Sequence, residues 1–288
     1  MKGYHLNRAV RFTFVIGLLL LVSLTGCFVI DPHGDSGHKY SASESFEFEV
    51  EVENQNSFRI HGVNGTIEIV GRSDSDVVEV WGEKIVKSES RADARSHLDD
   101  LRIQMSSSQD EVFIWTDQPR DSNHRNYEVN YQVRIPESWL VFVENTNGIV
   151  DVKMISNDVS ADLTNGDIHL TDIVGQLDAG LTNGNIDLMN IFGSVDGDVT
   201  NGKIFGDVTL PIGGYCQLEI TNGNIDLEIP RSTSAGFSAR VTNGNIQIHE
   251  LTLNNMTTTK GSATETLGDG NGTVVLKVTN GNIDVRGF

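Results

Sequence analysis

The tripeptide Thr-Asn-Gly recurs seven times in the second half of this chain, at Asn147, Asn165, Asn183, Asn201, Asn222, Asn243 and Asn280. The spacings are 18, 18, 18, 21, 21 and 37. A fixed period near 20 residues is the signature of stacked supersecondary units. Aligned on the asparagines, the copies form columns. The preceding residue is Thr in every copy: Thr146, Thr164, Thr182, Thr200, Thr221, Thr242 and Thr279. Three residues later comes Val150, Ile168, Ile186, Ile204, Ile225, Ile246 or Ile283. Two residues earlier the column is aliphatic except at Asn145, and four earlier it is mostly small, as at Ala161, Ala179, Gly197 and Ala239. The unit is a strand, a bend and a second strand.

Two all-β architectures accommodate it. Asn-Gly between alternating runs is a strong hairpin signal, which would pair Leu163 with Ile168 in an antiparallel meander or sandwich. A parallel β-solenoid instead stacks equivalent residues ~4.8 Å apart. A solvent-exposed hairpin tip needs Asn-Gly but has no use for the same Thr before it in each copy. Ladders of identical Thr and Asn side chains do, because they hydrogen-bond from coil to coil. The columns therefore favour a solenoid over residues 141–288.

Residues 45–140 read as an N-terminal β-rich cap. Phe46 to Glu53 alternates apolar and acidic, as a half-buried strand does. Val63-Asn64-Gly65-Thr66-Ile67 is an early, degenerate copy of the repeat. Ser90 is a candidate N-cap for one short helix, with Ala94, Leu98 and Leu101 on one face. Strands are expected at 101–105 and 111–115, and another where Tyr127, Val129, Tyr131, Val133 and Ile135 alternate before Pro136.

The first 26 residues read as a targeting segment. Lys2, Arg8 and Arg11 precede an apolar run from Phe12 to Leu24, shorter than the ~20 residues a membrane span needs. Leu24-Thr25-Gly26-Cys27 follows and resembles the lipobox of bacterial lipoproteins, in which cleavage precedes a cysteine that is then acylated. The resemblance implies Cys27 as the lipidation site, residues 27–44 as a flexible tether, and an extracytoplasmic, membrane-anchored protein. Phe28 rather than Asp after the cysteine implies the outer membrane if the source has two. Losing Lys2, Arg8 and Arg11 leaves 18 of the 21 Lys+Arg against 40 Asp+Glu, a formal charge of −22. Such a surface repels nucleic acid and anionic headgroups. The membrane is then reached through the lipid, and no nucleic-acid partner is expected.

Tyr127 to Pro136, Trp139 to Val143 and the Asn-Gly-aliphatic repeats together resemble the bacterial "putative adhesin" family, a domain of unknown function with β-helix-like members. The resemblance covers about residues 45–288. It implies a β-solenoid with an adhesion or envelope-maintenance role and supplies no catalytic residues.

Polar groups in the repeat columns are the candidates for chemistry. Asp151, His169 and Asp187, four residues after successive asparagines, would lie in a row and are the one constellation suited to acid–base work on a glycan. Phe205 and Gln247 interrupt the row, and no catalytic role is assigned. Asp196-Gly197-Asp198 and Asp269 to Thr273 offer oxygen ligands at alternate positions but complete no calcium motif, and turn chemistry accounts for them. No metal or cofactor is expected. Cys216, the other cysteine, leads into a strand with no basic neighbour and reads as a buried packing residue. Residues 251–273 are a protruding loop or a coil that lost its signature, and a place for ligand contact. The expected function is a non-catalytic envelope scaffold that binds a glycan or a protein. An envelope-stress accessory and a carbohydrate-active β-helix enzyme are the alternatives.

Overall fold

The computed structural model describes residues 39–73, 75–251, 257–259 and 261–288. Cys27, His33 and His38 lie outside them. Among the described residues, eighteen strands form one sheet system. In chain order they are β1 (Tyr40–Glu51), β2 (Ser57–His61), β3 (Asn64–Arg72), β4 (Val77–Ser88), β5 (Arg102–Ser107), β6 (Glu111–Asp117), β7 (Asn126–Pro136), β8 (Leu140–Ile155), β9 (Val159–Val174), β10 (Leu177–Phe192), β11 (Val195–Thr209) and β12 (Tyr215–Ile229), followed by β13 (Ala235–Asn243), β14 (Ile246–His249), β15 (Thr257–Thr259), β16 (Ser262–Leu267), β17 (Gly272–Asn280) and β18 (Ile283–Gly287). Helix α1 (Arg91–Ser96) lies between β4 and β5.

The repeats stack in parallel. Leu163 faces Leu181, Asn165 faces Asn183 and Ile168 faces Ile186, so each residue meets its own kind on the next coil. The same register joins β8 to β9, β10 to β11 and β11 to β12. Asn-Gly is thus a bend inside one coil and not the tip of a hairpin. The glycines there hold φ between 117° and 151°, which L side chains rarely adopt. A second bend falls seven residues after the asparagine, where Met154, Asp172, Asn190 and Glu250 have φ between 54° and 59°. Coils β11 and β12 omit this residue, and the register shifts between Leu188 and Ile191.

The order of the coils departs from the order of the chain. β17–β18 packs between β12 and β13–β14, so the last repeat is inserted before the second-to-last. The columns permit this, because Val278, Thr279, Asn280 and Ile283 match either neighbour. At the other end β2–β3 stacks on β8 and carries Asn64 into register with Asn147. β6 and β7 lie beyond it, in parallel. β2–β3 and β17–β18 are therefore each paired on two sides.

Antiparallel strands close the stack. β5 covers β6, β4 covers β7, and β1 covers β4. β16 covers β13 and β15 covers β16. Much of 251–273, expected as a loop or lost coil, is this antiparallel edge; residues 252–256 and 260 are outside the described set. β1 begins at Tyr40, so residues 40–44, expected in the tether, are strand paired to β4 down to Ser88. Helix α1 is N-capped by Ser90, whose side chain accepts from the Asp93 amide, and C-capped by His97. Ala94 and Leu101 on its expected face are buried.

The core is a set of apolar rows, one residue per coil. Ile168, Ile186, Ile204, Ile225 and Ile283 are fully buried, as are Leu170 and Leu188 two positions on. Each such side chain contributes about 1.5–3 kcal/mol relative to exposure. The small column is explained by crowding: a Cβ at Gly197 would lie 2.8 Å from the Leu218 side chain.

Candidate functional site

The bends align the asparagines into one hydrogen-bonded column. Asn147 Nδ2 donates to Asn64 Oδ1 at 2.7 Å, Asn165 to Asn147 at 2.8 Å, Asn183 to Asn165 at 2.8 Å and Asn201 to Asn183 at 2.9 Å. Asn222 donates to Asn201 at 2.9 Å, Asn280 to Asn222 at 2.9 Å and Asn243 to Asn280 at 2.8 Å. Asn64 ends the ladder by donating to the Tyr127 carbonyl at 2.8 Å. The seven repeat asparagines and Asn64 hold one another, and the column is architectural. The Thr residues beside it point outward, and from Thr164 onward all are exposed.

The outward columns on either side of the ladder carry the chemistry. On the downstream side, Asp151, His169 and Asp187 are brought together as neighbours in register. His169 Nδ1 lies 3.0 Å from Asp187 Oδ2, while Asp151 Oδ2 pairs with Lys153 Nζ at 2.6 Å. Asp151 Oδ1 has no hydrogen-bond partner among the described residues. The row lies on the open face of a sheet with His169 and Asp187 more than a third exposed. Phe205 follows Asp187 in register, so no second carboxylate faces the pair from that side.

On the upstream side an open groove of about 530 Å³ crosses β8 to β11. Its floor is the column three before the asparagines, Glu144, Asp162, Gly180 and Asp198, and its wall is Thr146, Thr164, Thr182 and Thr200. His61 closes one end. Gly180 makes a notch in this floor. A Cβ there would lie 2.5 Å from Asp162 Oδ1, so the Asp162 carboxylate occupies the space a side chain would take. Burial raises the Asp162 pKa, helped by Asp178 and Glu144. Burial likewise raises Asp198, with Glu219 and Asp196 adding to it, and raises Asp196, with Asp178 and Glu219 adding. Carboxylates and hydroxyls recur here at the coil spacing. The arrangement suits a ligand offering hydroxyl or amine donors along its length. The signal for the groove was legible as one missing side chain in an acidic column, and the sequence reading passed over it.

The other sequence candidates fall elsewhere. Asp196 and Asp198 lie on one outward face of β11, and Asp198 belongs to the groove. Asp269 and Asn271 form a turn around Ser234, whose hydroxyl accepts from both backbone amides at 3.0 and 3.3 Å. Among the described residues no three His, Cys, Asp or Glu side chains are grouped to hold a metal. Cys216 is fully buried, and burial pushes its thiol up to about 12. In the cap, Arg125 grips Asp93 with two hydrogen bonds of 2.8 Å, and the Ser88 hydroxyl donates to the same carboxylate.

A family model described as Toastrack DUF4097 matches residues 39–286. No curated protein matches. Among solved structures, a putative cell adhesion protein from Clostridium sporogenes is 12% identical, with a TM-score of 0.37 over 85% of this chain and 100% of that one. A putative adhesin from Bacteroides fragilis is 12% identical, with a TM-score of 0.29 over 84% of this chain and 97% of that one. A putative lipid binding protein from Parabacteroides distasonis is 10% identical, with a TM-score of 0.26 over 83% and 96%.

Proposed function

The chain belongs to the Toastrack DUF4097 family, and from that premise we propose that it is a non-catalytic surface scaffold that binds envelope material through the groove across β8 to β11. In this reading Cys27 carries the lipid, the protein faces out of the cytoplasm, and the stack presents its rows at a distance from the membrane. The observation that carries the reading is the groove: acidic and hydroxyl rows in strict register over four coils, notched at Gly180. Repetition at a fixed spacing suits a polymeric glycan or an extended protein segment, since each coil offers the next unit an equivalent contact. A non-catalytic role fits the downstream row, where Asp151 is engaged by Lys153 and the His169–Asp187 pair sits on an open face.

The test uses the soluble Cys27→Ser chain against a panel of cell-surface glycans and envelope proteins. Gly180→Lys places a cation in the acidic floor and displaces the Asp162 carboxylate, whose Oδ1 lies 2.5 Å from where the new Cβ would stand. The reading expects at least about a tenfold loss of affinity, the size of one charge-assisted contact. Unchanged binding by a Gly180→Lys chain with an unaltered circular dichroism spectrum contradicts it, as does release of glycan fragments by the wild-type chain. Loss of palmitate incorporation in full-length Cys27→Ser tests the anchor separately.

A further inference from the structure

The Asn ladder contains a chemical hazard. In an Asn-Gly pair the glycine nitrogen can attack the asparagine side-chain carbonyl carbon. A C–N bond forms, the Cγ–Nδ2 bond breaks, and ammonia leaves with the amide proton. Water then opens the succinimide to aspartate or isoaspartate. The ladder repeats this pair at every coil, yet its hydrogen bonds hold both reacting groups. An interior carboxamide is held twice: Asn183 Nδ2 donates to Asn165 and its Oδ1 accepts from Asn201. The nucleophile is held as well, as where Gly281 N donates to the Asn243 carbonyl of the next coil at 2.9 Å.

Because β17–β18 is inserted inward, the coil that ends the ladder is β13–β14, with Asn243. Its carboxamide is held on one side only, through Nδ2 to Asn280 Oδ1. Among the described residues no coil lies beyond to donate to Asn243 Oδ1 or to take the Gly244 N–H. β16 pairs with β13 as far as Arg240, and one further bond, from Val241 N to the Gly261 carbonyl at 2.8 Å, ends the cover two residues before Asn243 among the described residues. Gly244 is exposed, whereas Gly65, Gly148, Gly166, Gly184, Gly202, Gly223 and Gly281 are all half-buried. We propose that Asn243 is a site of spontaneous deamidation in the folded protein and that the ladder shields the other asparagines. The product places a carboxylate against Asn280 Oδ1 where a donor stood, which loosens the terminal coil.

The experiment incubates the native Cys27→Ser chain at mildly alkaline pH and maps deamidation by peptide mass spectrometry over time, beside a sample held in denaturant. In denaturant all the Asn-Gly pairs convert at similar rates. In the native protein Asn243 converts about tenfold faster than Asn165, Asn183, Asn201, Asn222 or Asn280, the ratio that one additional hydrogen bond supplies. Asn271 stays with the slow group, because Gly272 is buried and its N–H donates to the Ser234 carbonyl at 2.9 Å. Interior asparagines converting as fast as Asn243, or Asn243 staying intact in the native chain while the denatured chain converts, overturns the proposal.

Discussion

Replacing Asn183 by Ala separates a ladder that bears load from one that merely decorates the bend. Two side-chain hydrogen bonds disappear, to Asn165 Oδ1 at 2.8 Å and from Asn201 Nδ2 at 2.9 Å. Both partners are exposed and recover water, so each loss is net and not a full desolvation penalty. At ~0.5–1.5 kcal/mol apiece, the substitution costs about 1–3 kcal/mol. Asn243→Ala removes one bond, to Asn280 at 2.8 Å, and costs about half as much. Gly184→Ala acts by a different route. Its φ is 138°, and a Cβ would lie 1.6 Å from the Gly166 carbonyl oxygen. That obstacle is backbone and cannot rotate away, so strain and overpacking together cost about 3–5 kcal/mol. Urea denaturation at constant slope measures all three. The expected order is Gly184→Ala, then Asn183→Ala, then Asn243→Ala. An Asn183→Ala chain as stable as wild type refutes the energetic role of the ladder. A tolerated Gly184→Ala refutes the close stacking of the bends.

Two further outcomes follow from burial and charge. Cys216 is fully buried with its thiol held as the neutral form, so a maleimide labels it only at the rate of unfolding; rapid labelling of the native Cys27→Ser chain contradicts this packing. Stability also depends on pH in two opposed ways. Asp162, Asp196 and Asp198 have raised pKa values, so the folded state binds their protons more tightly and stability is lost as pH rises through those values. Asp93, gripped by Arg125 and then Ser88, is held far below the usual carboxylate range, and its contribution is present above that range and lost as pH falls below it. Denaturation midpoints followed from about pH 7 to 3 are therefore expected to rise as pH falls through the raised Asp values and to give back part of that gain below the usual carboxylate range, and a steady decline from 7 downward counts against the acidic face as described.

The parallel stack was legible because Thr, which a hairpin tip does not need, precedes Asn-Gly in all seven repeat copies, and the apolar columns then fall inward. The degenerate copy at Asn64 has Val63 in place of that Thr and was legible from Asn64-Gly65 and the aliphatic Ile67 three residues on. The order of the coils was not. β17–β18 displays the same columns as β13–β14, and identical edges do not say which neighbour each takes. The spacing of 37 marked the place, but the physical cause is an antiparallel pair, β15 and β16, whose alternation of Thr, Ala and Glu carries no repeat signature. The row Asp151, His169 and Asp187 was read from its column and does assemble as His169–Asp187. The Lys153 that occupies Asp151 lies two residues away on the same face, outside the column that was compared. The groove escaped because its defining residue, Gly180, contributes an absence, and an absence gains meaning only when Asp162 and Asp198 stand beside it.

The coil order is the claim on which the presented face and the exposed end both depend, and cross-strand disulfides test it directly. Glu219 faces Lys277 in register, and Lys277 faces Arg240, while Glu219 and Arg240 are two strands apart. Neighbouring positions sit within disulfide reach, whereas two strands put Cα atoms about 9.6 Å apart, beyond the ~7 Å limit. In a Cys27→Ser background, Glu219→Cys with Lys277→Cys and Lys277→Cys with Arg240→Cys are expected to oxidise to intramolecular disulfides, and Glu219→Cys with Arg240→Cys to stay reduced. Efficient closure of the Glu219→Cys, Arg240→Cys pair, with failure of the Glu219→Cys, Lys277→Cys pair, means that the coils stack in chain order and contradicts the account.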